Sequence, residues 1–536
     1  MDNPPLSVDN GKIILYRKIL IIGVCMSDKI FWGIASLSEL SLIKYLKEES
    51  KNFKSKNFSF FVQADNLFIR SNFLNLQNVI KYHHFQNKTD LKQKKVYSYH
   101  IEITNNVSSF DFYSDTFGIH DFYWSQISDG IIFSNSSYFI AKLLKKSPRG
   151  LDGLFMHLIL RGQTNNTSYF YDISQLPSQS ILRFNKTGIT LSKRELLMPP
   201  SSSISELLLQ GLPNDIVNNS GVCFSGGIDS SVIVNEYLNK YKNISCYSLV
   251  NFDNDNLKTD LYFANILASQ QHFNISKVPF EMDKEIFNDD MPILDHDVYG
   301  QCCLAQAMIQ DGKKYMISGS GADELFGGYD QIFYFAQKLS TQHNADPLDC
   351  ILQRYSYTDL KLLQCIDKDL FREVYNNIKE YYVSIAGASY YYVSQLHHWF
   401  IYHHLFWILK MHPKDLICIF PFLREEFLSF CLQTDYKLVF PYIFYEQTDP
   451  SYHEKVKSII KEQYKYSLPQ KILNRPKLPF SVQETEINQL YELQYEERHP
   501  DCLIPSDIFA EIMAKKYGSQ TKLLFLSYIL WRQRVL

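Results

Sequence analysis

An excess of charge of either sign is missing from this chain. Across 536 residues, 54 lysines and arginines face 57 aspartates and glutamates, a net charge of −3. That balance removes the broad electrostatic pull toward nucleic acid or a membrane surface, so neither is expected as a partner. Long hydrophobic runs are missing too, since no apolar stretch approaches the ~20 residues a membrane helix requires. The opening Met1-Asp2-Asn3-Pro4-Pro5 places an acid and two prolines where a secretory signal carries basic and then apolar residues. Ten cysteines are scattered without a C-x-x-C pair or Cys/His ligand spacing, and Cys302-Cys303 is the only adjacent pair. Structural zinc and a disulfide framework are therefore not expected. A cytoplasmic protein with reduced thiols is.

Aromatic residues, by contrast, are abundant, with 37 Tyr and 38 Phe. Without basic residues interleaved among them, core packing explains them better than a stacking surface, and Lys92-Gln93-Lys94-Lys95 reads as a solvated loop. The length implies two to four domains. Short β-branched or aromatic segments at 13–16, 19–22, 58–62, 97–103 and 130–133 predict a β-rich N-terminal part, with a helical pattern at 40–46. Pro199-Pro200-Ser201-Ser202-Ser203 marks a linker. Beyond it, strands predicted at 222–224, 245–250, 275–279 and 315–317 alternate with helices to about 239, over 260–272 and near 305–311. Such alternation predicts a doubly wound parallel sheet with its ligand at the strands' carboxyl ends. From about residue 330 the pattern turns helical and aromatic.

The first predicted strand of that sheet runs into Phe224-Ser225-Gly226-Gly227-Ile228-Asp229-Ser230-Ser231 and then a helical pattern. Two glycines allow close backbone approach, and N–H groups at a helix start with serine hydroxyls suit an anion. Asp229 adds a carboxylate where a phosphate-bound Mg²⁺ would sit. The loop lacks the spacing and lysine of a Walker A motif, and instead resembles the pyrophosphate loop of the ATP pyrophosphatase group. Met316-Ile317-Ser318-Gly319-Ser320-Gly321-Ala322-Asp323-Glu324-Leu325-Phe326-Gly327-Gly328-Tyr329 forms a second strand-to-glycine turn, followed by paired acids. Asp229 and Asp323 are the pair expected to hold one Mg²⁺.

These loops in this order resemble the asparagine synthetase family, which includes β-lactam synthetases and lasso-peptide cyclases. The resemblance extends through most of the chain. Asp115-Thr116-Phe117-Gly118 with Phe122-Tyr123-Trp124, then Phe133-Ser134-Asn135, and Phe170-Tyr171-Asp172-Ile173-Ser174-Gln175-Leu176-Pro177 are similar to segments of the family's amidotransferase-like domain. Leu468-Pro469 through Arg475-Pro476-Lys477 to Phe480 resembles its C-terminal signature. The resemblance implies an α/β protein with two parts. Residues 1–198 would form an Ntn-amidotransferase-like (αββα) domain. Residues 206–536 would form an ATP-pyrophosphatase synthetase domain with a helical C-terminal part. It further implies ATP and Mg²⁺ as cofactors. Ser225, Gly226, Gly227, Asp229 and Ser230 would cradle pyrophosphate and its metal, and Ser318 and Gly319 would lie against the nucleotide. Cys223 and Val250 would contact adenine. Lys477 would place charge on the α-phosphate, an effect of about 3 kcal/mol for a well-placed donor, with Arg475 positioning its loop.

Two departures narrow the expectation. Glutamine-dependent members carry cysteine after the initiator methionine, where this sequence has Asp2; Cys25 lies inside an apolar segment with no free amine beside it. Ser320 stands where glutamine-dependent asparagine synthetases carry a glutamate, and serine alone is a poor base. Asp295, His296, Asp297 and His412 are candidates for that task. Together the departures favour adenylation of a carboxylate that an amine of the same substrate attacks, as in a lasso-peptide cyclase forming a macrolactam. A precursor peptide and a leader-processing peptidase would then be partners. Ammonia-dependent amidation of aspartate is the alternative enzyme reading, and a non-catalytic ATP-binding scaffold is the alternative from another class.

Overall fold

The computed structural model describes short strands between 31 and 105 and, with brief gaps, residues 109–195, 203–250, 259–280, 290–386, 416–475 and 519–536, with a few positions between 503 and 512. The helical pattern at 40–46, the strands expected at 13–16 and 19–22, and most of the linker at 199–203 lie outside the described residues.

Two compact units are present. The first comprises Met1–Ser147 and Asn166–Arg194. It contains a six-stranded antiparallel sheet formed by β1 (Phe31–Ser36), β2 (Val62–Ala64), β3 (Leu67–Ser71), β7 (Tyr123–Ile127), β8 (Gly130–Ser134) and β9 (Ser174–Gln175), in the order β2-β3-β1-β8-β7-β9. A second sheet holds β4 (Ile80–His84), β5 (Ile101–Asn105), β6 (Ser109–Tyr113), β10 (Ser180–Asn185) and β11 (Gly188–Lys193), in the order β11-β10-β6-β5-β4. Phe112 of β6 meets Phe133 of β8 at 5.2 Å between ring centroids, and Phe122 stacks on Phe133 at 5.3 Å, so the sheets share an aromatic interior. All five residues of β8 are buried because the helix Ser137–Leu144 packs against β7 and β8 as well. The amidotransferase-like motifs meet in space: Ser114, beside Asp115, donates from its hydroxyl to the carbonyl of Pro177 at 2.6 Å and accepts from Ser180 N–H at 2.8 Å.

The second unit comprises Pro148–Asn165 and Glu195–Leu536. Its sheet is parallel throughout, with β12 (Ser220–Cys223), β13 (Ser245–Val250), β14 (Ile275–Pro279), β15 (Tyr315–Ile317) and β16 (Ile417–Ile419) in the order β14-β13-β12-β15-β16. Four of these strands lie where the periodicity predicts them. β16 does not, because the sequence beyond residue 330 reads as helical and Ile-Cys-Ile is too short to announce a strand. The intervening helices Ile228–Tyr241, Asp260–Gln271 and His296–Gln310 supply the crossovers that parallel neighbours require. Behind the sheet, Met316 packs with Tyr247, Leu304, Met308 and Leu416 in a buried cluster. The helix Leu151–Leu160 packs against Pro347–Tyr355, Lys368–Ala386 and Ser519–Val535. No helix among the described residues is long and apolar enough to cross a membrane.

Candidate functional site

The chain leaves β12, builds outward through β13 to β14, and returns to β15 on the other side of β12. This reversal opens a crevice at the carboxyl ends of β12 and β15, the place where open α/β sheets bind ligands. The loop after β12 is the Ser225–Ser230 motif, and the loop after β15 is the Ser318–Asp323 motif. They lie in contact, since a methyl group at Gly319 would stand 3.2 Å from Cβ of Asp229 and 3.3 Å from the Ser230 nitrogen.

Each loop is shaped locally. Gly226 has φ +67° and turns its vacant side onto the next helix: a Cβ there would meet the Ala264 nitrogen at 2.2 Å. The left-handed turn and the helix seat both require glycine. Gly227 caps the helix Ile228–Tyr241 and is open. A Cβ there would stand 3.2 Å from Ser225 Oγ and 4.0 Å from Arg475 Nη1. A ligand can therefore approach this backbone. Ser225 and Ser230 hydroxyls lie 3.3 Å apart beside it, and Gly227 N–H donates to Ser225 Oγ at 3.3 Å. This fits an anion at a helix start lined with hydroxyls. In the second loop, Ser318 is tied to β16 through its N–H and the Ile419 carbonyl, at 3.0 Å. Its hydroxyl lies 2.9 Å from that of Ser320. Gly321 and Gly327, both left-handed, bracket the short helix Ala322–Phe326 and set Asp323 and Glu324 in its first turn. Buried Glu324 accepts from the Tyr329 hydroxyl at 2.7 Å, and burial with Glu324 and Asp323 nearby holds that phenol well above its ordinary pKa.

Cys223 and Val250 end the neighbouring strands β12 and β13. Burial raises the Cys223 thiol well above its usual range, with Cys418 and Cys246 adding to the rise, so it is a neutral, apolar wall. The Val250 carbonyl accepts from Phe280 N–H at 3.3 Å. Arg475 reaches the first loop from the C-terminal segment. Its Nη1 donates to the Ser225 carbonyl at 2.8 Å, Nη2 pairs with Asp260, and the guanidinium covers the Phe263 ring at 4.5 Å. These contacts hold the pyrophosphate loop against the helix Asp260–Gln271. Lys477, two residues on, lies outside the described residues, as do Asp2, Cys25, Asp295, His412 and the side chains of His296 and Asp297.

The residue that sequence reasoning missed is Lys457. Its ammonium lies 2.7 and 2.6 Å from the two Asp229 carboxylate oxygens and 2.6 Å from Asp323 Oδ1. Burial alone would lower the lysine pKa, but the two carboxylates overcome it and hold the group above its ordinary value. Gly328 closes over this triad: a Cβ there would fall 1.7 Å from Asp323 Oδ1 and 2.4 Å from Lys457 Cε. No sequence signal marks Lys457, which follows Lys455 in an ordinary run of mixed charge. The carboxylates supply hard oxygen donors of the kind Mg²⁺ takes, and no cluster of three or more metal-type side chains is present among the described residues. The point between Asp229 and Asp323 is filled by the ammonium, so a metal joins both carboxylates there only when Lys457 withdraws.

A family profile described as asparagine synthase matches residues 218–499, just over half of the chain, and spans both loops, Lys457, Arg475 and Lys477. Amidase chyE of Penicillium rubens is 30% identical over 132 residues, covering 20% of this chain and 19% of that protein. The chain thus spans about a fifth of the length of the curated relative it matches. Among solved structures, the U34-tRNA thiolase NcsA from Methanococcus maripaludis with its [4Fe-4S] cluster overlaps 61% of this chain and 77% of its own, at 12% identity and a TM-score of 0.23. The glutamine phosphoribosylpyrophosphate amidotransferase from B. subtilis overlaps 54% and 75%, at 7% identity and 0.17. Both overlaps are too loose to define a shared fold.

Proposed function

The chain belongs to the asparagine synthase family, whose activity is ATP-dependent formation of an amide C–N bond, and from that premise we propose that it works by adenylating a carboxylate. In the first step a carboxylate oxygen attacks the α-phosphorus of ATP, the α–β phosphoanhydride bond breaks, and pyrophosphate leaves. In the second, an amine attacks the acyl carbon, AMP departs, and the amine's proton passes to a base. The observation that carries this reading is the contact of the two glycine loops at the β12/β15 crevice, with Asp229 and Asp323 converging on one cation. Ser225, Gly227 and Ser230 offer donors for the departing pyrophosphate. Mg²⁺, when bound through Asp229 and Asp323, would neutralise charge on the phosphates. Arg475 keeps the loop seated, and Lys477 is the proposed donor to the α-phosphate.

We propose further that the amine belongs to the same substrate, so that the product is a macrolactam within a peptide. Ser320 supports this reading: its hydroxyl pairs with Ser318 at 2.9 Å and brings no basic carboxylate to the loop. An amine held beside the acyl carbon has effective molarities of ~10⁵ M or more in favourable geometries, which reduces the demand on a strong base. A precursor peptide would be the substrate and a leader-processing peptidase a companion enzyme. The purified chain with Mg·ATP and a panel of carboxylates, including such peptides, should release AMP and pyrophosphate in equal amounts. A peptide product lighter by one water identifies macrolactam formation; the same AMP with aspartate and ammonia would identify amidation instead. No AMP with any carboxylate, and no change in nucleotide binding in Asp229→Ala and Asp323→Ala variants, would refute the enzyme reading.

A further inference from the structure

Lys457 carries three features that a surface lysine does not need. It is buried, with only 7% of its side chain exposed. It bridges carboxylates from two loops, one of them 228 residues distant in sequence. Its backbone is left-handed, with φ 54°. Lys145, Arg161, Lys242 and His272 share that conformation, but each ends a helix, where it is the ordinary stop signal. Lys457 instead precedes a helix, Ser458–Tyr464. A non-glycine residue held left-handed costs on the order of 1–3 kcal/mol and persists only where its surroundings demand it. Gly328 adds a further sign of construction, since its missing Cβ leaves the space that Asp323 and the lysine stem occupy.

We propose that Lys457 is an exchangeable resident cation: its ammonium keeps Asp229 and Asp323 paired and closed to free divalent metal, and yields the carboxylates only when metal arrives with the polyphosphate. The charges favour this order. Two carboxylates and one ammonium leave the triad at −1, so a bare divalent ion must displace a cation already seated at 2.6–2.7 Å. When a nucleotide accompanies the metal, its phosphates offer the displaced ammonium new oxygens in the adjacent Ser225–Ser230 loop, and the lysine keeps an anionic partner throughout. Lys457 is in this sense a positioning residue for the phosphates and a selectivity element that ties metal entry to nucleotide. The inference rests on the ATP reading above.

The test uses the full chain and Mn²⁺ as the probe, read by electron paramagnetic resonance without nucleotide. Wild type should take up free Mn²⁺ weakly, and Lys457→Met should bind it at least ~10-fold more tightly, because one positive charge has left a buried dicarboxylate site. Lys457→Arg, which keeps the charge, should remain as closed as wild type. Free Mn²⁺ affinity unchanged in Lys457→Met overturns the proposal. Should circular dichroism find that variant unfolded, Lys457→Arg still decides: tighter free Mn²⁺ binding there overturns it equally. Failure of wild type to form AMP with any carboxylate would sink the functional reading while leaving these titrations interpretable, so the two failures are distinguishable.

Discussion

Replacing Gly328 with alanine should separate Asp323 from Lys457 without touching either residue. The added methyl would lie 1.7 Å from Asp323 Oδ1 and 2.4 Å from Lys457 Cε, so one partner must move. The backbone of Gly328 is not left-handed, and conformational strain therefore contributes little. Lys457 would keep Asp229, so the group left without its partner is the Asp323 carboxylate, 23% exposed. Breaking a buried pair costs about 3–5 kcal/mol, and overpacking alone about 1–3. Partial exposure and the surviving Asp229 contact argue for the lower part, about 2–4 kcal/mol. In thermal melts of the nucleotide-free protein that loss should appear as a fall of several degrees. Gly227→Ala is the control. Its methyl meets nothing closer than Ser225 Oγ at 3.2 Å, so it should melt within about 1 kcal/mol of wild type while losing nucleotide affinity by crowding the phosphate cradle. Combining Gly328→Ala with Asp323→Asn should give less than the sum of the two losses, because both act on one pair. A Gly328→Ala protein that melts with wild type would refute the reasoning, since the triad would then yield without penalty.

Three further expectations come from other contacts. Gly226→Ala places a methyl 2.2 Å from the Ala264 nitrogen at φ +67°. It should destabilise by about 2–4 kcal/mol from left-handed strain and overpacking together, as read by urea unfolding. Arg475→Lys keeps the charge but loses the fork that joins Ser225 and Asp260 across Phe263; steady-state kinetics should find KM for ATP raised about tenfold with kcat less affected. Burial pushes the His157 imidazole down to about 3, against a backbone hydrogen bond with Leu524 that raises it. The unfolded chain protonates near 6.5 while the folded chain resists, so stability is lost progressively as pH falls from about 6.5 toward 3. His157→Gln should flatten that slope in urea unfolding measured from pH 7 to 4, and an unchanged slope would exclude His157 as its source.

What the sequence reveals divides by distance along the chain. A strand, a glycine turn and a helix start within ten residues constrain one another locally, so the Ser225–Ser230 and Ser318–Asp323 loops are legible from their residues alone. The alternation of β12 to β15 with helices is legible for the same reason, through hydrophobic periodicity. β16 is not, because three residues acquire strand character only from pairing with β15. Lys457 is invisible because its meaning lies in partners 134 and 228 residues away. Arg475 is half legible: its Arg-Pro-Lys setting marks it, yet its clasp on Ser225, Asp260 and Phe263 is a tertiary fact. Glycines mislead in an instructive way. Gly226 reads as room for phosphate, whereas its vacant side faces the Phe263–Ala264 backbone.

The order in which the Lys457 triad is synthesised has its own consequence. Asp229 and Asp323 emerge from the ribosome well before residue 457, and during that interval the nascent crevice brings two like charges together with nothing between them. Repulsion between them disfavours early docking of the β15 loop onto the β12 loop. The arrival of Lys457 removes it. Domains fold as synthesis proceeds, from the N-terminal side, so the crevice would close late, after the C-terminal segment has joined. A chain released just short of residue 457 should hold its parallel strands yet leave the two loops apart and protease-sensitive, which makes the lysine the last part of the site to be assembled as well as its resident cation.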